Sequence, residues 1–478
     1  MAKHYDYIIV GSGPSGGNLA YNLNKAGASC LLLEAGKFFR KDTFPRNEAD
    51  TSAQLYWGGG IEFDDKAEMI FLRARVMGGT SIVNQCLLDR FDDNAWKDWK
   101  DRSGVDFFNS EHMKPYYDKV EDFLNLHTFT PEERNKNAEL FCESCERLGY
   151  KWNYLRKGQG DCAHERGNDC IACLSGCHRD SKQSSMATYI QKAEKEGLQI
   201  SSETEVQKII KKDRTIQVHA LYKKEKEITI EGKNLILAGG AFGTTKMLLQ
   251  SGFGDELPAL GKKFSSHPQF MSFGIFDEPI DAHKGYFQTV ASKEPVFREQ
   301  GFKLENVFAP PISVAMLFNS LGKEHQEIMR NYRNMQCIEV AIRDENIGEI
   351  KLDNKGKLSV SKPLSDQDKR RRDRGLEVVN NILSASNAKR VIQSPYYFGL
   401  HLMGGCSMGT DPKTSVVDPE FRLHGHRNIY IADSSIYPSA PGINPSLSIF
   451  ALSQKLSEQL IPEEDVKDTE QKRAESAK

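Results

Sequence analysis

The sequence predicts an α/β fold in two parts: a domain built on a parallel sheet, with an antiparallel-sheet domain inserted into it. Three observations lead there. Residues 6–36 read as a strand, a glycine-rich turn, a helix and a second strand. Short apolar runs fit for buried parallel strands return at Asn234–Leu237 and at Ile429–Ile431. Between them, residues 265–395 lack that alternation of strand and helix, and instead hold strand-like runs around a hairpin turn.

The first unit is the most informative. Tyr7–Val10 is a buried-strand run, Ser15–Ala26 a helix with Leu19, Ala20 and Leu23 on one face, and Cys30–Leu33 the next strand. Gly11-Ser12-Gly13-Pro14-Ser15-Gly16 joins strand to helix. Gly11 permits a tight turn, and Gly13 lets backbone approach a pyrophosphate at the helix N-terminus, where free N–H groups and the dipole favour an anion. Gly16 lets helix and strand pack closely. Glu34, 18 residues after Gly16, ends the second strand where a carboxylate can bind a ribose diol. This spacing points to a dinucleotide without choosing which; the N-terminal position ahead of a long chain favours FAD over NAD.

Composition narrows the classes. At 478 residues the chain holds more than one domain. A net charge of −2 with no basic patch argues against nucleic acid. No run of 18 apolar residues predicts a membrane span. The N-terminus enters the first strand with no basic or apolar leader, so a cytoplasmic location is expected. Ten cysteines there argue against a disulfide framework. The charged tail 463–478 is expected to be disordered.

Further along, Gly78-Gly79-Thr80-Ser81 with Asn84 forms a loop whose backbone can lie against a flat ligand. In this order after the glycine-rich turn, it resembles the flavin-contacting signature of the glucose–methanol–choline (GMC) oxidoreductases. Residues 95–150 read as helical, and Ser201–Val206 with Gln207–Ile210 as strand. Asn234–Leu237 runs into Ala238-Gly239-Gly240-Ala241 and a helix through Gln250, closed by Ser251-Gly252-Phe253-Gly254; this resembles the family's second signature. His401 before Gly404-Gly405-Cys406-Ser407-Met408-Gly409, and Pro441-Gly442-Ile443-Asn444-Pro445 before the last helix, resemble its C-terminal half. The resemblance implies an FAD-binding Rossmann-like (GMC-type) domain over 1–264 and 396–462, with a substrate domain at 265–395. Within 265–395, Phe270–Phe276 and Gln336–Arg343 read as strands. Glu349–Leu352 and Lys357–Val360 read as a hairpin around Asp353-Asn354-Lys355-Gly356, and residues 365–386 as a charged helix.

The resemblance also implies site residues. Gly11, Gly13, Ser15, Gly16, Glu34, Gly78, Gly79, Ser81, Asn84, Val206, Asp433, Ser434 and Pro445 are expected at FAD. Met77 and Gly78 stand where some members carry a flavin-linking His, so FAD is expected to be non-covalent. Alcohol oxidation removes a hydroxyl proton as hydride leaves carbon for flavin N5; a neutral His suits the proton step. His401 matches the family's base, and Asn444 an orienter, since an amide cannot take the proton. His267 reads as a packing residue. Cys162-x7-Cys170-x2-Cys173-x3-Cys177 gathers soft ligands. It resembles both the cluster-bearing sugar dehydrogenases and the long-chain alcohol and sterol oxidases of the family. An iron–sulfur cluster on Cys162, Cys170, Cys173 and Cys177 is the first reading. Zinc, with His164 and His178 as further ligands, and metal-free thiols are the alternatives.

The expected activity is FAD-dependent oxidation of a sugar, polyol or other alcohol, with electrons passed to a quinone, cytochrome or other carrier. An oxygen-using long-chain or sterol alcohol oxidase, a non-redox FAD lyase and an electron-transfer subunit are the rivals.

Overall fold

A computed structural model of the chain describes residues 4–162 and 170–461, with the side chains of 170–172 left out. The expectations on the tail 463–478, His164 and the Cys170 side chain lie outside the described residues.

The N-terminal unit forms as the pattern predicts: strand Tyr5–Val10, helix Pro14–Lys25 and strand Cys30–Leu33. These strands pair in parallel, and Tyr5–Val10 pairs on its other side with the end of strand Lys226–Leu237. Ile429–Ile431 joins in parallel beyond it, while Ile216–Tyr222 and Thr204–Lys211 extend the sheet antiparallel. Seven strands make this first sheet. Helix Ser446–Leu460 packs on helices Pro14–Lys25 and Ser110–Phe123, so the end of the chain seals the start.

Eight strands make the second sheet. Pro268–Ile275 lies at its centre between Met335–Ile342 and Arg390–Gly399, both antiparallel to it. Three of its strands, Glu62–Phe63, Met69–Phe71 and Trp152–Tyr154, come from before residue 265. They are only two or three residues long, too short to give a periodic signal in sequence. Helix Asp366–Ala385, with a capping box of Ser365 and Asp368, covers one face of this sheet. There Phe270, Leu304, Ile338, Val340 and Ile342 pack with Val378, Val379, Ile382 and Leu383 in one buried cluster. Alternation sends the next residues along each strand to the other face, which roofs the site described below.

The glycine-rich turn is held by contact rather than by charge. A Cβ on Gly16 would lie 1.9 Å from the Gly11 carbonyl oxygen, so helix and turn touch only because Gly16 has no side chain. Gly16→Ala is therefore expected to lower unfolding stability by roughly 1–3 kcal/mol, the usual cost of overpacking, measured by urea denaturation. An unchanged midpoint would contradict the close approach.

Candidate active site

One cavity of ≈ 780 Å³ runs from the glycine-rich turn to the second sheet. Gly11, Gly13, Ser15, Glu34, Gly79, Ser81, Asn84, Val206, Asp433, Ser434 and Pro445 line it, as do His401 and Asn444. Gly16 and Gly78 stand behind the wall. The Gly78 N–H donates to Ser12 Oγ (2.8 Å), and a Cβ on Gly79 would lie 2.9 Å from Gly13 Cα. The two glycine turns therefore lie one against the other. Ser12 in turn donates its hydroxyl to Glu34 Oε2 (2.5 Å), which also accepts the Ser12 N–H (3.1 Å). The Asp433 side chain accepts from Gly240 N (2.7 Å) and the Thr244 hydroxyl (2.6 Å), capping helix Gly240–Gln250 and leaving backbone toward the cavity.

The far half of the cavity is roofed by alternate residues of the second sheet: Gln269, Met271 and Phe273; Cys337 and Glu339; Glu305 and Val307. Glu305 and Glu339 are direct cross-strand partners. Two ionised carboxylates so placed would repel. Burial and the Glu305 charge push Glu339 up to about 8, so it holds its proton at neutral pH. Lys303 pairs with Glu305 at close range; although burial opposes its charge, the Glu305 and Asp89 carboxylates raise its pKa. Gln288 Nε2 donates to Glu305 Oε2 (2.6 Å) and Asn444 Nδ2 reaches Oε1 (3.5 Å). Around this polar end the walls are apolar, with Phe287, Phe308, Leu317, Phe398 and Leu400. Toward the mouth, Ile61, Phe63 and Met316 are more than two-fifths exposed.

His401 sits where the two halves meet. Burial, then the nearby Lys303 charge, lowers its pKa to about 4, so the imidazole is neutral at working pH. Its Nδ1 lies 2.9 Å from Nδ1 of His267, and the Gly442 N–H donates to His267 Nε2 (2.8 Å). His267, read from sequence as a packing residue, thus touches the predicted catalytic histidine. Glu305, Glu339, Gln269 and Gln288 were not singled out by sequence either. The available signal for Glu339 was an ionisable residue inside the largely apolar run MQCIEVAI; FKLEN, with Lys303 and Asn306 beside Glu305, carried none.

The cysteine segment adjoins this site. Lys182, 2 % exposed, donates from Nζ to the carbonyls of Ile82, Asn84 (2.9 Å) and Cys173 (2.6 Å), fastening the cysteine turn to the Gly79–Ile82 turn. The hydrogen bond with Cys173, then burial, push the Cys177 thiol up, and burial pushes up that of Cys162. Among the described residues, no group of three or more His, Cys, Asp or Glu side chains is arranged to hold a metal ion. None of the nine described cysteines is in a disulfide. The expected ligand set includes Cys170, whose side chain lies outside the described residues. No helix among them is long and apolar enough to cross a membrane.

Comparison with known proteins agrees with this architecture. Residues 5–269 match the N-terminal and 348–453 the C-terminal model of the GMC oxidoreductases. The chain belongs to the GMC oxidoreductase family, and it is an FAD-dependent oxidoreductase. It is 25 % identical to a GMC-type oxidoreductase of Sinorhizobium fredii, covering 95 % of this chain and 94 % of that one. It is 23 % identical to a long-chain-alcohol oxidase of Arabidopsis thaliana, over 95 % of this chain and 67 % of the plant protein. A cholesterol oxidase of Acinetobacter baumannii is 24 % identical over 94 % and 93 %. The crystal structure of pyridoxine 4-oxidase from Mesorbium loti shares the fold at a TM-score of 0.74 and 16 % identity, covering 95 % of this chain and 99 % of that one.

The residues present fit FAD. Ser15 Oγ is buried with no partner at the first turn of helix Pro14–Lys25, whose N-cap, Gly13, offers no side-chain cap to the free N–H groups. A Cβ on Gly13 would meet nothing within 4 Å, so the cradle is open on the ligand side. Ser15→Ala is expected to weaken FAD binding by about 1 kcal/mol, one lost hydrogen bond, read by fluorescence titration of FAD-depleted protein. Unchanged affinity would remove Ser15 from the cofactor site.

Proposed function

We propose that the chain oxidises the CH–OH group of an apolar alcohol and returns the electrons to dioxygen. The single observation that carries this reading is the cavity's division: a small polar end of His401, Asn444, Glu305 and Gln288, set in long apolar walls that lead to an apolar mouth. Hydroxyls of a sugar or polyol that faced Phe287, Phe308, Leu317, Phe398 and Leu400 would meet no hydrogen-bond partner there. A long-chain or sterol-like alcohol buries its body at roughly 25 cal/mol per Å². The names of the plant and Acinetobacter relatives support the same substrate class.

In this reading bound FAD, held without a covalent link, supplies the hydride acceptor. Gly11, Gly13, Ser15 and Glu34 hold its dinucleotide part, and Gly79, Ser81 and Asn84 lie along the flavin side. Asn444 and His401 fix the substrate oxygen, which aligns the reacting carbon. The hydroxyl proton has two acceptors within that polar end, His401 and Glu305. The apolar walls exclude water from both. An iron–sulfur relay on the four cysteines is the second electron route; the similarity to proteins named oxidases supports dioxygen as the first.

The test is aerobic turnover of the purified holoenzyme with 1-dodecanol, cholesterol or glucose, with peroxide, iron and flavin measured together. Peroxide from an apolar alcohol, and flavin without stoichiometric iron, is the expected outcome. Stoichiometric iron with turnover only on glucose and an artificial acceptor would overturn it.

A further inference from the structure

We propose that Glu48 is the latch of a gate at the mouth of the cavity. Its carboxylate ties the segment 308–317, which packs on the second sheet, to a helix of the first-sheet half. Release of that tie admits the alcohol and lets the carbonyl product leave. The proposal rests on the apolar-alcohol reading above, and it concerns a residue outside the polar end.

Glu48 opens helix Glu48–Leu55, whose N-terminus Asn47 caps by accepting from Asp50 N (2.9 Å). The Glu48 side chain is therefore free to serve another element. Its Oε2 accepts the Ile312 N–H (2.9 Å), and its Oε1 accepts both the Ser313 N–H (2.9 Å) and the Ser313 hydroxyl (2.9 Å). Those two N–H groups lie in the first turn of the short helix Pro311–Ala315, where no intrahelical acceptor serves them. Glu48 and Ser313 both line the cavity. They belong to different halves. Leu55, at the far end of the Glu48 helix, packs in the core of the first sheet. Val314, Leu317 and Phe318 pack with Phe273, Met335 and Cys337 of the second. One carboxylate thus bridges the cavity between the two.

Elsewhere the segment is tied to its own half, near its two ends. The Tyr332 hydroxyl donates to the Ala309 carbonyl (2.9 Å), and the Ser394 hydroxyl to that of Leu317 (2.9 Å). Between these points Pro311, Ile312, Ser313 and Met316 are exposed, and only Val314 is fully buried. Hydrogen bonds that are few and open to water mark the parts of a fold that open most readily. On the other lip, Gly58, Gly59 and Gly60 have φ of 58°, 67° and 81°, a left-handed run that favours glycine, and Ile61 and Phe63 follow it. Ile61, Phe63 and Met316 line the opening. A solvated carboxylate at such a lip would oppose the entry of an apolar body. Tied to three donors, it closes the lip instead.

The segment also screens a reporter. Phe308, Val314 and Leu317 line the cavity, and so does Cys337, which is 2 % exposed. The Val307 N–H donates to the Cys337 carbonyl (3.2 Å), so the strand that leads into the segment lies directly beside that cysteine. Cys142 is as buried as Cys337, but it packs in the core under helix Asp366–Ala385 and is not part of the cavity wall. A small reagent entering by the mouth reaches Cys337 when the gate is open, whereas Cys142 reports a general loosening of the protein.

The first test needs no substrate. Full-length FAD-loaded protein is treated with methyl methanethiosulfonate, and modification of Cys337 and Cys142 is followed by peptide mass spectrometry. Burial holds the Cys337 thiol well above its ordinary pKa, so all variants are compared at one pH. Glu48→Ala should speed modification of Cys337 roughly fivefold or more, with Cys142 unchanged. The milder Glu48→Gln, which keeps the shape and one acceptor, should fall between Glu48→Ala and wild type. Equal Cys337 rates in all three would overturn the proposal, and so would a Cys142 rate that rises in step with Cys337. The second test is anaerobic flavin reduction by 1-dodecanol. Glu48→Ala should raise the second-order rate at low alcohol, while the limiting rate at saturation stays within about twofold. A fall in the limiting rate with no change at low alcohol would overturn the proposal too. A wild-type flavin that no alcohol reduces would instead sink the function proposed above, with the labelling result left standing.

Discussion

The Ser12 hydroxyl is the point on which the cofactor half of the molecule depends. It accepts from Gly78 N, donates to Glu34, and is fully buried, so three segments separated by dozens of residues share one oxygen. A fourth segment closes over it, since the Ser185 hydroxyl lies 3.0 Å from both the Ser12 and Gly13 carbonyl oxygens. Removing that oxygen would leave a buried N–H and a buried carboxylate short of partners, each costing about 1–3 kcal/mol. The glycine contacts of Gly11, Gly16 and Gly79 bring the backbones near enough for one side chain to serve all of them.

The second sheet solves a different problem. Its helix-facing side is a plain apolar core, while its cavity side carries two facing carboxyl groups. Burial makes two charges there too costly, and the pair is kept by a proton on Glu339 and the Lys303 ammonium beside Glu305. A stability-driven sequence would place Leu or Val at both positions. Retention of an acid pair beside His401 and Asn444 fits a site built for proton movement at the expense of stability.

Much of this was legible in the sequence, for physical reasons. The first βαβ unit has three signals that agree: strand period, glycine spacing and the acid at the strand end. The mixed architecture with an inserted antiparallel sheet was legible from the return of apolar runs at Asn234–Leu237 and Ile429–Ile431. The predicted His401 and Asn444 do meet in one cavity with the predicted Gly11, Gly13 and Gly79. Glu305 and Glu339 were not legible as a pair. Alternation tells which residues share a face, but not which face is roofed by a helix and which by a cavity. His267 escaped for a related reason: its partners, Gly442 and His401, stand 175 and 134 residues away. The cysteine spacing suggested ligands, yet spacing alone does not say where thiols point, and the described ones do not converge on a metal-holding group.

In the function proposed above, a bound alcohol gives its hydride to the flavin in this cavity. Anaerobic stopped-flow mixing of the FAD-loaded protein with 1-dodecanol and with its 1,1-dideuterated form tests it most directly. The expected result is bleaching of the oxidised flavin band, slowed severalfold by deuterium at the reacting carbon. A flavin band that stays oxidised with every alcohol tried would contradict it and leave FAD a structural part of a non-redox enzyme.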